Sequence, residues 1–182
     1  MNRHDLIFLT QKVLLVCLVL SSLLWYFGEH LGKSLLPLVE EVIIVMTPEF
    51  SPSLKLVRVM QPQSYYSIEL SVLALQPIHL NASLFIPTGT ELKSSTPLLH
   101  VLVPFVIEWS ILLVWPLQRW SQRLLLVASG VITAILIVLA TLPALLLGQM
   151  EIAFQEVALL DKNPRPVPWF LNWMMFCELG GG

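Results

Sequence analysis

The stretch "LLLVASGVITAILIVLATLPALLLG", residues 124–148, contains no charged side chain. A helix needs about 20 apolar residues to cross the roughly 30 Å hydrocarbon core of a bilayer, so this stretch reads as a membrane span. Two others qualify on the same ground: residues 6–27, "LIFLTQKVLLVCLVLSSLLWYF", and residues 97–117, "PLLHVLVPFVIEWSILLVWPL". Lys12 lies close enough to one end of its span to snorkel. The composition agrees. The chain is 56% hydrophobic and only 12% charged, with a mean hydropathy of +0.78, outside the range of an ordinary soluble domain.

The formal net charge is −2 and the basic residues are scattered, so the electrostatic footprint of a nucleic-acid binder is missing. Cys17 and Cys177 both fall in apolar segments, which argues against a disulfide framework. His4, His30, His79 and His100 are dispersed along the chain. With no metal-ligand spacing, no phosphate-binding glycine loop and no Ser/His/Asp arrangement, neither metal nor cofactor is expected.

The N-terminus has the basic start and apolar run of a signal peptide. It ends, however, in Trp25, Tyr26 and Phe27 with no small-residue cleavage site. Bulky aromatics suit a membrane boundary, so residues 1–28 are expected to be a retained transmembrane anchor.

Residues 29–96 have a different character and are expected to form an outward, periplasmic region. It opens with "SLLPLVEEVIIVM", read as an amphipathic helix on the membrane surface, followed by the turn-rich "TPEFSPS". "YYSIELSVL" then alternates, with Tyr66, Ile68, Leu70 and Val72 opposite Ser67, Glu69 and Ser71. "HLNASLFI" alternates too, and "LKLVRVM" is rich in β-branched residues. Three strands separated by Pro62 and Pro77 predict a small antiparallel sheet, too small to stand alone. Asn81, Ala82 and Ser83 match a glycosylation acceptor, a short pattern that also fits a solvent-facing strand.

Residues 97–148 would form a transmembrane hairpin. Residues 149–167 would be an outward linker stiffened by "NPRPVP", and residues 168–182 the start of a fourth membrane segment in a longer protein. The fold class is thus membrane α-helical, with three to four transmembrane helices and an outward-facing antiparallel β region between the first two. Arg119 and Arg123 in the hairpin connection, with Arg3 and Lys12 near the start, place the N-terminus in the cytoplasm.

Glu108 is the one charge in the second span, where an ionised carboxylate costs several kcal/mol unless it is paired, neutralised or hydrated. His100 and Pro104 precede it at four-residue spacing, on roughly one side of a helix. A His/Glu pair could relay protons. Alternatively, Glu108 fixes packing or contacts a partner, bonding for example to Ser129 or Thr133. Gly130 with Ala134, and Ala140 with Ala144, give span three small residues at the spacing that lets helices approach closely; Pro143 should kink that span near its outer end. Cys177 invites a thiol-nucleophile reading. It lacks a base and an electropositive setting, and neighbouring Glu178 disfavours the thiolate.

An anchor ending in "WYF", an outer β-like region, a Glu-bearing span and "PWFLNWMMFCELGGG" follow one another in this order. In this layout the chain resembles the small membrane proteins encoded beside exosortases in Gram-negative bacteria, in particular those associated with the H-type exosortase. The resemblance implies an accessory role in sorting or processing proteins with C-terminal membrane-anchoring signals, with no catalytic residues in this chain. The leading expectation is therefore a non-enzymatic inner-membrane accessory subunit whose partners are the lipid bilayer and another membrane protein, an exosortase on this resemblance. Two alternatives stand beside it: a subunit of an energy-transducing or envelope-export complex with Glu108 and His100 in a proton path, and an intramembrane enzyme using Cys177.

Overall fold

The computed structural model describes residues 3–60, 65–80, 85–115, 119–160 and 166–178. Its elements, in order, are α1 (Arg3–Met46), β1 (Phe50–Val59), β2 (Tyr65–Ala74), β3 (Ile78–His79), β4 (Phe85–Ile86), β5 (Glu91–Pro97), α2 (Leu98–Val114), α3 (Trp120–Leu160) and α4 (Trp169–Glu178).

Two helices, α1 and α3, are long and apolar enough to cross a membrane. Their most apolar windows are only 6% and 17% buried, so these stretches are not the core of a globular domain. The expectation of three to four spans is not met at this level. α2 has 17 residues, about 25 Å at 1.5 Å per residue, short of a full crossing. Pro97 belongs to β5 rather than to the helix, and the chain leaves helical geometry at Trp115. α4 has ten residues and packs along α3, where Trp173 Nε1 donates to Ala140 O at 2.9 Å.

Two segments expected to be separate are continuations of the long helices. "SLLPLVEEVIIVM" is the last part of α1, which runs through Pro37 without ending. Its buried residues Leu36, Val39 and Ile43 recur at helical spacing beneath the sheet, and Glu40 turns back to accept the Leu54 N–H at 3.4 Å. Tertiary burial outweighs the single hydrogen bond a helix proline removes. Likewise α3 continues past Gly148 to Leu160, because Met150, Phe154 and Ala158 form a buried stripe at four-residue spacing. The expected linker is thus helical as far as residue 160. The first half of "NPRPVP", residues 163–165, lies outside the described residues.

The sheet is antiparallel in the order β1-β2-β5. β2 has the predicted alternation, with Ile68, Leu70, Val72 and Ala74 buried. β1 begins earlier than expected, at Phe50, and includes Pro52 opposite Val72. As an edge strand it tolerates a residue that cannot donate to a ladder. The third strand is "ELKSSTP" and not "HLNASLFI", which supplies only the two-residue pairing of β3 with β4 around residues 81–84, themselves outside the described set. β5 escapes hydropathy because its inward positions are Leu92, Ser94 and Thr96. Thr96 is fully buried, and Ser94 Oγ donates to Leu146 O on α3 at 2.8 Å.

The inner face of the sheet rests on the end of α1, the start of α2 and the middle of α3. One core joins Val39 and Ile43, Leu70 and Val72, Leu98 and Leu102, and Leu142 and Leu146. The outer face carries Ser51, Ser53, Lys55, Glu69, Glu91 and Lys93, with Lys93 Nζ 3.4 Å from Glu91 and 3.7 Å from Glu69. Below this platform the helices continue as an apolar bundle. Gly28 and Gly32 of α1 meet Leu98 and Leu102 at the start of α2, while Gly130 of α3 meets Trp109 and Leu112 near its end. Trp115, Arg119 and Arg123 therefore lie at the end of the bundle remote from the sheet.

Candidate functional site

Glu108 lies about 15 Å along α2 from Leu98, and Gly130 about 15 Å along α3 from Trp120, at 1.5 Å per residue. Exposed aromatics flank this depth: Trp25 and Tyr26 are 82% and 81% exposed towards the sheet end, and Trp120 is 78% exposed at the other. Trp120 and Ala140, on which Trp173 rests, are about 30 Å apart along α3, the thickness of a hydrocarbon core. Glu108 is thus close to the middle of the apolar bundle.

A close helix crossing shapes its surroundings. A Cβ on Gly130 would lie 2.5 Å from Leu112 Cδ1 and 3.7 Å from Trp109 Cζ2, so any larger residue here requires the Leu112 side chain to turn aside. Ala134, one turn further, is buried. On α2, Val101, Leu102, Val106 and Ser110 are buried while Val103, Ile107 and Ile111 are exposed. Glu108, half-buried, sits at the border between the two sets.

Two polar atoms here have no hydrogen-bond partner: Glu108 Oε2 and Trp109 Nε1, both buried. The expected bond from Glu108 to Ser129 or Thr133 does not form. Ser129 Oγ donates to Leu126 O at 2.9 Å and Thr133 Oγ1 to Ser129 O at 2.9 Å, each closing on its own helix. Back-bonding of this kind is the usual local alternative for a helix hydroxyl. Ser110 does the same with Val106 O at 2.6 Å.

His100 is exposed in the first turn of α2, about 12 Å of helix rise from Glu108. The two share a side of α2 but do not meet. Cys177 is a half-buried free thiol on α4, remote in sequence and element from Glu108 and His100. Among the described residues no group of three or more His, Cys, Asp or Glu is placed to hold a metal ion.

Hydropathy missed a second feature, a cavity of about 290 Å3 where α3 emerges beside the sheet. Its walls include Phe50, Ile78, Met150, Phe154 and Phe170, with Thr47, Glu49 and Glu151 as polar members. Glu151 is only 5% exposed and accepts from Gln155 Nε2 at 3.0 Å. The Met150, Phe154, Ala158 stripe was the signal that could have placed Glu151 on a buried helix rather than in a linker.

At the same end of the bundle, Glu29 at the close of the apolar run of α1 accepts from Lys33 Nζ at 2.6 Å and from the Tyr66 hydroxyl of β2. The Lys33 ammonium foremost, then the Tyr66 hydroxyl, hold the Glu29 carboxyl below its ordinary range, and Tyr66 is pushed up in return. This contact ties the sheet to the first helix just beyond the aromatic boundary. No family model, no curated protein and no solved structure matches the chain.

Proposed function

We propose that this chain is a non-enzymatic accessory subunit of a bacterial inner membrane, serving an exosortase-type protein sorting and processing system. Its helices dock laterally against a larger membrane protein, and its outer sheet stabilises the complex or helps present substrate. The observation that carries the reading is the state of Glu108: a carboxylate midway along an apolar bundle, with one oxygen buried and unbonded. Ionisable groups at such depth are expensive and as a rule face a partner or a cavity.

Three features support the membrane assignment and its direction. α1 and α3 present long exposed apolar surfaces. Exposed tryptophans bracket about 30 Å of α3. Arg119 and Arg123 lie at the end away from the sheet, and the excess of basic residues at cytoplasmic ends of membrane helices favours a cytoplasmic N-terminus and a periplasmic sheet. The exosortase link rests on the order of parts along the chain.

Purification in mild detergent from cells that co-express this chain with an H-type exosortase tests the reading. A stoichiometric complex is expected. A chain that elutes alone and monodisperse would sink it.

A further inference from the structure

We infer that the surface around Glu108 receives a transmembrane helix of a different protein, and that this helix carries a basic side chain at mid-depth. The inference rests on the docking function proposed above and specifies the chemistry of the partner.

The protein itself leaves this carboxylate unsatisfied. Oε2 is buried without a partner, and the Ser129 and Thr133 hydroxyls on the adjacent helix are bonded to their own backbone. A second copy of the chain cannot supply the missing charge. Residues 13–28, 97–118 and 124–148 contain no Lys or Arg, so at this depth a second copy offers only another carboxylate. Two carboxylates at one site repel unless one is protonated.

The flank of α2 beside Glu108 is suited to an apolar helix. Val103, Ile107 and Ile111 are exposed there, and no second charge stands in the way. A cation on the incoming helix pairs with the carboxylate in a medium where the alternatives are an unpaired charge or a neutral, protonated acid. Arginine fits best, because its fork can engage both carboxylate oxygens. Glu108 is half-buried between the packed and the open faces of α2, so a turn of its side chain brings the buried Oε2 to a helix arriving from the lipid side.

The test uses the full chain in lipid vesicles, labelled with an energy-transfer donor. The probes are acceptor-labelled leucine-rich transmembrane peptides with arginine, leucine or glutamate at the central position. The arginine peptide should associate at least tenfold more tightly than the leucine peptide. That preference should survive Glu108→Asp, which keeps the charge, and fall to within twofold in Glu108→Gln. Equal association of the arginine and leucine peptides would overturn the inference, as would a preference that persists in Glu108→Gln. Energy transfer between labelled copies of the chain that is abolished by Glu108→Gln would overturn it in favour of self-association. In detergent purification, a natural partner that stays bound to Glu108→Gln would remove this inference and leave the docking function standing, whereas a wild-type chain that purifies alone removes both.

Discussion

Gly148→Ala should loosen the attachment of α4 to α3, and the size of the effect follows from the contact. A Cβ at position 148 would collide with Met174 Sδ and lie 3.0 Å from Met174 Cβ and 3.1 Å from Cγ. Ordinary carbon–carbon contacts are about 3.5–4.0 Å. The sulfur can swing aside, but Met174 Cβ is fixed to the α4 backbone, so the two helices must separate by roughly half an ångström or more. Overpacking of this kind costs about 1–3 kcal/mol. It is opposed by about 1 kcal/mol gained when alanine replaces a helix-interior glycine. The net expectation is destabilisation of about 1 kcal/mol. In a Met174→Gly background the clash is gone, and the same substitution should stabilise. The double-mutant cycle should therefore give a coupling energy above about 1 kcal/mol. Unfolding in mixed micelles, followed by tryptophan emission, measures each corner of the cycle, and Trp173 reports on the α3–α4 contact directly. Additivity of the two substitutions to within about 0.5 kcal/mol would refute the argument.

Other consequences can be checked in the same preparation. Leu70→Ala at the centre of the sheet, where the side chain is fully buried, should cost about 2–5 kcal/mol in micellar unfolding. Lys93→Ala removes only exposed ion pairs on the outer face and should change stability by less than about 1 kcal/mol. Glu29 has a lowered folded pKa, so its contribution is fully present above the ordinary value of 4.5 and is lost as pH falls through the folded value. Tyr66→Phe removes one cause of that lowering and should give a shallower fall in melting temperature on acidification below that pH. With Cys17 and Cys177 replaced by serine, a membrane-impermeant thiol reagent applied to spheroplasts should label Ser53→Cys on the sheet and spare Ser121→Cys; the reverse pattern would invert the proposed orientation.

Apolar length was readable from the chain because it needs no partner to be seen. The charge-free run of α3, the first apolar run with its aromatic end, and the alternating face of β2 are local patterns, and each occurs in the folded protein as a long apolar helix or a half-buried strand. The candidate site was readable in part. Glu108 stands out against its apolar neighbours, and Gly130 against the bulk of its span. Their consequences were not local. Ser129 and Thr133 could have answered Glu108 by spacing alone, and only the fold shows their hydroxyls turned back onto their own helix. Glu151 stood in a segment that read as a linker, where the Met150, Phe154, Ala158 stripe marked a helix but not the cavity, whose wall residues Phe50 and Phe170 arrive from other elements.

The sequence by itself determined that two long apolar helices and a small strand region exist, because hydropathy and alternation act over a few neighbouring residues. The tertiary structure decided where helices end and which strand completes the sheet. Pro37 and Gly148 would punctuate an isolated chain, but Val39, Ile43, Met150 and Phe154 are buried beyond them, and that burial carries both helices onward. Polar β5 is a strand only because β2 offers it a hydrogen-bonding edge and α3 offers Ser94 an acceptor. Those energies come from residues distant in the chain, which no local pattern contains.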